Sequence, residues 1–275
     1  MSSGLANERS AETPSVAPPL LTREELRRIA QPPEYSPSRV DHLYRPFSIY
    51  LSIPLARRGA TPNGITVGWI LIGLCGACCL VSSLWIVRIA GALLLEFSYL
   101  LDFVDGEVAR LNKRGSTVGT FLDLMGHGLI KTALPLAAGA SAFMQTGSRF
   151  MLLAGAVGAV TIGVGDALRF HAACASGRLG AADLDRVAQA HRSLRELPLA
   201  RLAGNLFEHG FESPGLFGLA LLAALSDRLA LLTIYWMIAG PIWMCLRAID
   251  YSRRLRILDG MPAPDRTSSS AAAPE

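Results

Sequence analysis

Six apolar runs follow one another after residue 64: Ile65–Ile86, Ile86–Leu101, Gly128–Phe143, Phe150–Ala167, Leu216–Leu225 and Leu229–Leu246. A helix needs ~20 mostly apolar residues to cross the hydrocarbon of a bilayer. Inside lipid every backbone polar group must be satisfied within the protein, which leaves helices and closed barrels as the spanning structures. Apolar residues in long blocks, without alternation, predict the helical solution. The fold class expected is an all-α integral membrane bundle of about six transmembrane helices. The run after Pro214 falls furthest short of a span. The composition agrees, with 51% hydrophobic and only 17% charged residues, and an ordinary soluble domain is excluded.

The flanking charges predict an orientation. Arg57 and Arg58 precede the first run, Lys113 and Arg114 lie between the second and third, and Arg178, Arg186, Arg192, Arg195 and Arg201 lie between the fourth and fifth. Arg253, Arg254 and Arg256 follow the sixth, while the opposite loops carry little beyond Arg88, Arg149 and Arg228. Positive loops stay on the cytoplasmic side, so both termini are expected there. No apolar h-region of a signal peptide follows the start, and a bacterial plasma-membrane location is expected.

Three regions follow. Residues 1–40 read as a cytoplasmic tail with one short helix, opened by a Thr22-x-x-Glu25 capping box. Residues 41–256 form the membrane domain. Its first stretch, 41–58, mixes aromatics, aliphatics and arginines, as an amphipathic helix in the membrane interface does. Thr61 or Asn63 is placed to cap the first span, which carries the small residues Gly64, Gly68, Gly73 and Gly76. Residues 172–212 form a long polar connection with a helix-like segment around 181–203, and 257–275 read as a disordered tail. Cys75-x-x-Cys78 has metal-site spacing but lies inside an apolar run with no second pair. It reads as packing residues.

Chemistry concentrates between the second and third runs. Asp102 and Asp105 stand three apart and share a helix face, with Gly106 and Ala109 on nearly the same stripe. Small residues beside carboxylates let a ligand approach the backbone. Arg110 follows one turn later, placed to grip a phosphate with two donors. On the next helix Gly119, Asp123 and His127 are spaced by four. If the two helices are neighbours, Asp102, Asp105 and Asp123 converge on one cation. Hard oxygen ligands suit Mg²⁺ or Mn²⁺. Charge in a membrane is expensive and marks function. Its clustering at one face argues against a transporter, whose polar groups lie near the midplane.

The stretch 102–127 resembles the signature of the CDP-alcohol phosphotransferase (CDP-alcohol phosphatidyltransferase) family, D-x2-D-G-x2-A-R-x8-G-x3-D-x3-D. Seven of the eight specified positions match: Asp102, Asp105, Gly106, Ala109, Arg110, Gly119 and Asp123. Pro62-Asn63-x-x-Thr66 also resembles the segment that leads into the family's first span. The resemblance implies a six-helix membrane bundle, usually a homodimer. It implies transfer of a substituted phosphoryl group from a CDP-alcohol to an acceptor hydroxyl, with release of CMP. It assigns metal binding to Asp102, Asp105 and Asp123. It places the CDP moiety against Asn63, Thr66, Gly106, Ala109, Arg110, Ser116 and Gly119. CDP-diacylglycerol is the expected donor, an alcohol the acceptor, in phospholipid biosynthesis. No nucleic-acid partner is expected.

His127 stands where the signature has its fourth Asp, the family's proposed base. Histidine is the commonest general base and titrates near neutrality, so His127 is the expected catalytic base. It is also able to ligate a metal. The alternative is a catalytically impaired nucleotide- or lipid-binding scaffold. Lys131, one turn beyond His127, is placed either to meet an acceptor phosphate or to snorkel. Asp166 and Arg169 either pair with each other or line the acceptor pocket. Glu96, nearly two turns before Asp102, needs a partner, Arg88 or a residue on another span.

Overall fold

The computed structural model describes residues 22–32, 41–176, 207 and 210–259. All regular structure among them is helical: α1 (Arg23–Ala30), α2 (Asp41–Arg57), α3 (Pro62–Leu80), α4 (Trp85–Leu111), α5 (Thr117–Thr146), α6 (Phe150–Ser176), α7 (Ser213–Leu225) and α8 (Leu229–Asp259). The expected segment around 181–203 and residues 1–21 lie outside the described residues.

The helix ends follow local chemistry. Thr22 and Glu25 make the expected reciprocal cap of α1: the Glu25 amide donates to Thr22 Oγ1 at 3.3 Å and the Thr22 amide to Glu25 Oε2 at 2.7 Å. Those contacts from Thr22 hold the Glu25 carboxyl below its ordinary range. Of the two candidate caps for α3, Thr61 is the one used, accepting from the Gly64 amide at 3.3 Å with Pro62 at the first helical position. Ser116 caps α5 through the Gly119 amide at 3.0 Å. α4 stops in a Schellman turn. The Arg114 amide donates to Ala109 O at 2.9 Å, and Lys113 takes the left-handed conformation at φ 52°. That turn fixes the short passage from α4 into α5.

Among the described residues, six helices, α3 to α8, build the bundle. α3 packs on α4 and α5, α5 on α6, and α6 on α8, while α7 fills the side between α4 and α8. The centre is dry and large-sided: Trp69, Leu95, Ile130, Leu134, Trp236 and Trp243 are all but fully buried. Lipid supplies no hydrophobic drive between helices, so close backbone approach must supply the adhesion. α3 and α4 cross at Gly76 and Gly91. A Cβ on either would stand 2.7 or 2.6 Å from the other's carbonyl oxygen. The other small residues of α3 divide: Gly73 is packed against Ser98 and Ile130, whereas Gly68 faces open space. Cys75 and Cys78 are exposed free thiols on the outer surface.

Among the described residues, three helices are long and apolar enough to cross a membrane by length and composition: α3, α6 through Ala172 and α8 through Ile257. α4 and α5, at 27 and 30 residues, have the length but carry the charged motif. α7 has 13 residues, about 20 Å at 1.5 Å per residue, and is too short for a span. The expected boundaries shift accordingly. The first two runs are expected to meet at Ile86; the break between α3 and α4 falls earlier, in a turn at Val81–Leu84 that contains Ser82 and Ser83. α8 continues to Asp259, into the stretch read as tail.

α2 forms as expected despite Pro46 and Pro54. It lies against α4 through Ser48, Ile49, Ser52 and Ile53 and presents Leu43, Phe47 and Tyr50 outward, the surface an interfacial helix needs. The partner of Glu96 is Tyr44 on this helix, whose hydroxyl donates to Glu96 Oε2 at 2.6 Å. Arg88 is not that partner: it is buried and pairs with Asp227 at 2.5 Å.

Candidate metal and phosphate site

α3 packs against both α4 and α5, and side chains from the last turns of α4 and the first turns of α5 meet beside its start, His127 of α5 reaching Asp102 of α4 at 3.5 Å. Asp102 and Asp105 come from α4, Asp123 and His127 from α5, and Asn63, Thr66 and Trp69 from α3.

His127 lies between two carboxylates. Its Nε2 is 3.5 Å from Asp102 Oδ2, and its Nδ1 is 3.4 Å from Asp123 Oδ1 and 3.1 Å from the Asp123 carbonyl. When Nδ1 carries the proton it donates to that carbonyl, and Nε2 keeps its lone pair toward Asp102. The edge of the Trp69 indole meets the imidazole at 5.2 Å between centroids and fixes the ring from the α3 side. One ligand atom each from Asp102, Asp123 and His127 falls within 4.8 Å of the others.

Asp105 occupies a different place from the one its spacing suggested. It is nearly buried, and its Oδ2 accepts from Thr66 Oγ1 at 2.6 Å and Trp69 Nε1 at 2.9 Å. The three-residue set that gathers around one point is therefore Asp102, Asp123 and His127, with Asp105 beside it and held by α3. Thr66, expected at the CDP moiety, spends its hydroxyl on Asp105 and on the Pro62 carbonyl.

The residues that the resemblance assigns to the CDP moiety fall into two groups. Ser116 Oγ lies 3.4 Å from Asn63 Oδ1. A Cβ on Gly119 would fall 2.8 Å from the same Asn63 oxygen and 3.2 Å from Ser116 Oγ; only glycine lets these three come together. The Arg110 guanidinium folds back over Gly106, its terminal nitrogens 3.4 and 3.7 Å from where a Cβ would stand. Ala109, half-buried, leaves that face low.

The acceptor-side candidates separate. Lys131 is buried and pairs with Asp166 across α5 and α6 at 2.7 Å. Lys131 is thus the described partner of Asp166. Arg169 lies on α6, its side chain outside the described residues.

Spacing did not reveal Trp69 or Glu107. Trp69 is three residues after Thr66, on the same face, and its indole N–H is a donor that needs a partner when buried. That was the available signal. Glu107 is a carboxylate inside the motif but on the opposite face of α4 from Asp105. Its Oε1 accepts from Gln31 at 2.7 Å and Ser48 at 2.5 Å, and its Oε2 from Ser52 at 2.6 Å.

The donor set fits a divalent cation. Two ligands about 2.1 Å from one cation lie no more than about 4.2 Å apart. The 4.8 Å set needs only a small contraction to reach that. Two carboxylates and an imidazole gathered at one point are a donor set for such a cation. Residues 60–186 match the family model described as CDP-alcohol phosphatidyltransferase. The comparison with curated proteins gives no match. The CDP-alcohol phosphatidyltransferase match takes in α3 to α6 and every site residue named above, and leaves α1, α2, α7 and α8 outside it. The family transfers phosphoryl groups from CDP-alcohols in phospholipid synthesis and depends on divalent metal. With its apolar helices, the protein is an integral membrane protein.

Proposed function

We propose that the protein transfers a phosphatidyl group from CDP-diacylglycerol to the hydroxyl of an alcohol acceptor, releasing CMP. The observation that carries this reading is the meeting of Asp102, Asp123 and His127 from two helices at one point, inside the segment that matches the family.

Asp102 and Asp123 would hold the cation, Mg²⁺ or Mn²⁺, with Asp105 as the third carboxylate of the site; the chemistry it would supply there is neutralisation of charge on the diphosphate oxygens. Arg110, over the open face of Gly106, grips a phosphate of the donor. Asn63, Ser116 and Gly119 line the nucleotide side, and Thr66 sets Asp105. His127 Nε2 takes the proton of the acceptor hydroxyl. The alkoxide oxygen then forms its bond to the lipid-side phosphorus as the bond to the CMP oxygen breaks, and CMP leaves as the phosphate anion. Positioning and charge stabilisation account for the rest. The Lys131–Asp166 pair, one turn further along α5, walls the acceptor side. Positive-loop counts support a cytoplasmic site and cytoplasmic termini, and the resemblance supports a homodimer.

The test is His127→Ala. The base role predicts loss of CMP release, by about 10²–10⁴-fold, with nucleotide binding retained. Full turnover by that variant would remove the base assignment.

A further inference from the structure

α1 and α2 lie outside the family match, yet both are fastened to the motif helix beside Arg110. Glu107 is 1% exposed. Every donor to it named above comes from the N-terminal helices: Ser48 and Ser52 from α2, both fully buried, and Gln31, which caps the end of α1. Gln31 also donates to the Arg45 carbonyl at 2.8 Å, so one side chain ties α1, α2 and α4 together. Three residues along α4, Arg110 Nε donates to the carbonyl of Ala30, the last residue of α1, at 2.6 Å. Ala30 is itself fully buried in a small cluster with Ile49 and Ile53. The same guanidinium has its terminal nitrogens over Gly106.

We propose that Glu107 is a positioning residue: it latches α1 and α2 onto α4, and the latched Ala30 carbonyl sets the Arg110 guanidinium over Gly106 for a nucleotide phosphate. The inference rests on the reading of this face as the nucleotide side and adds residues from outside the matched segment to it. The physical reasoning is short. A guanidinium on a flexible stem binds a phosphate well only when its fork is already oriented. Fixing Nε through a carbonyl orients the remaining edge. The carbonyl stays in place only while α1 does, and α1, with eight residues, is too short to hold its shape or place alone. A carboxylate accepting from several neutral donors makes stronger bonds than a neutral acceptor would, and Glu107 is where those bonds converge.

The experiment measures CMP binding by calorimetry and backbone hydrogen exchange over residues 23–31, on the full chain in lipid nanodiscs, for Glu107→Gln and for Gln31→Ala. Gln31 is only half-buried, so its truncation leaves the bundle intact if Glu107→Gln does not fold. Glu107→Gln is expected to weaken CMP about tenfold, the loss of one charge-assisted hydrogen bond. It should raise the donor KM by a similar factor, leave kcat within about twofold and accelerate exchange in 23–31. Gln31→Ala should move each quantity the same way by less. A merely structural Glu107 would loosen α1 with CMP affinity unchanged, and that result overturns the inference. Unchanged exchange in 23–31 overturns the latch itself. If the unaltered chain fails to bind CMP, the nucleotide reading falls and takes this inference with it. If the unaltered chain and both variants bind CMP equally, only the inference falls.

Discussion

Replacing Gly76 with alanine tests the packing that brings α3 and α4 together. Gly68, two turns earlier on α3, provides the control. Both changes gain helix propensity, up to about 1 kcal/mol each. At Gly68 the new methyl meets nothing within 4 Å, and the gain stands. At Gly76 it falls 2.7 Å from Gly91 O and 3.1 Å from Leu94 Cβ and Leu95 Cγ. The nearest obstacle is backbone, so no rotamer change relieves it. Reaching ordinary contact at 3.4 Å needs the helices to part by roughly 0.7 Å at their crossing. Overpacking of this kind costs about 1–3 kcal/mol. The propensity gain is common to both, so the two variants should differ by about 1–3 kcal/mol, roughly 2–12 °C in melting midpoint for a chain of this size. The assay is loss of the monodisperse peak on heating the detergent-solubilised chain. Parting the helices should also disturb Asp105, because Thr66 and Trp69 reach it from α3. Equal midpoints for the two variants would refute the close crossing.

Two further perturbations separate support from chemistry. Trp69→Phe keeps the ring and removes the 2.9 Å bond to Asp105. It should lower stability by about 1.5–3 kcal/mol, as loss of a hydrogen bond to a charged group does, and weaken Mn²⁺ binding measured by calorimetry. Lys131→Met and Asp166→Ala break the same 2.7 Å pair unequally. Lys131 is the more buried partner, at 8% side-chain exposure against 23%. Asp166→Ala strands its charge at a cost of about 3–5 kcal/mol, whereas Lys131→Met costs less; thermal midpoints of both variants check the order.

What could be read from the chain depended on how local the determinant was. The capping box at Thr22, the Thr61–Pro62 start of α3 and the interfacial helix over 41–58 are local patterns, and they formed. The apolar pattern places the break between α3 and α4 at Ile86, a few residues late, because Leu84, Trp85 and Ile86 resume the run after Ser82 and Ser83. In the site, spacing fixed which face each residue occupies but not which neighbour it meets. Asp102, Asp123 and His127 converge because α3 packs against both α4 and α5 and the side chains reach across to each other. Asp105, on the same stripe as Asp102, is drawn to Thr66 and Trp69 on a third helix, which spacing on α4 does not show. Glu96 and Glu107 find their partners on the N-terminal helices, 52 and more residues away in sequence. A buried carboxylate announces that it needs a donor; the sequence does not say which helix will bring it.

The most direct measurement is CMP release by the purified full chain supplied with Mg²⁺ or Mn²⁺, CDP-diacylglycerol and a panel of alcohols. The account predicts CMP formation that requires both the cation and an acceptor, ends on chelation and is lost in Asp102→Ala. Nucleotide binding without CMP release, with every donor and acceptor and either metal, would contradict it and leave a membrane scaffold in place of an enzyme.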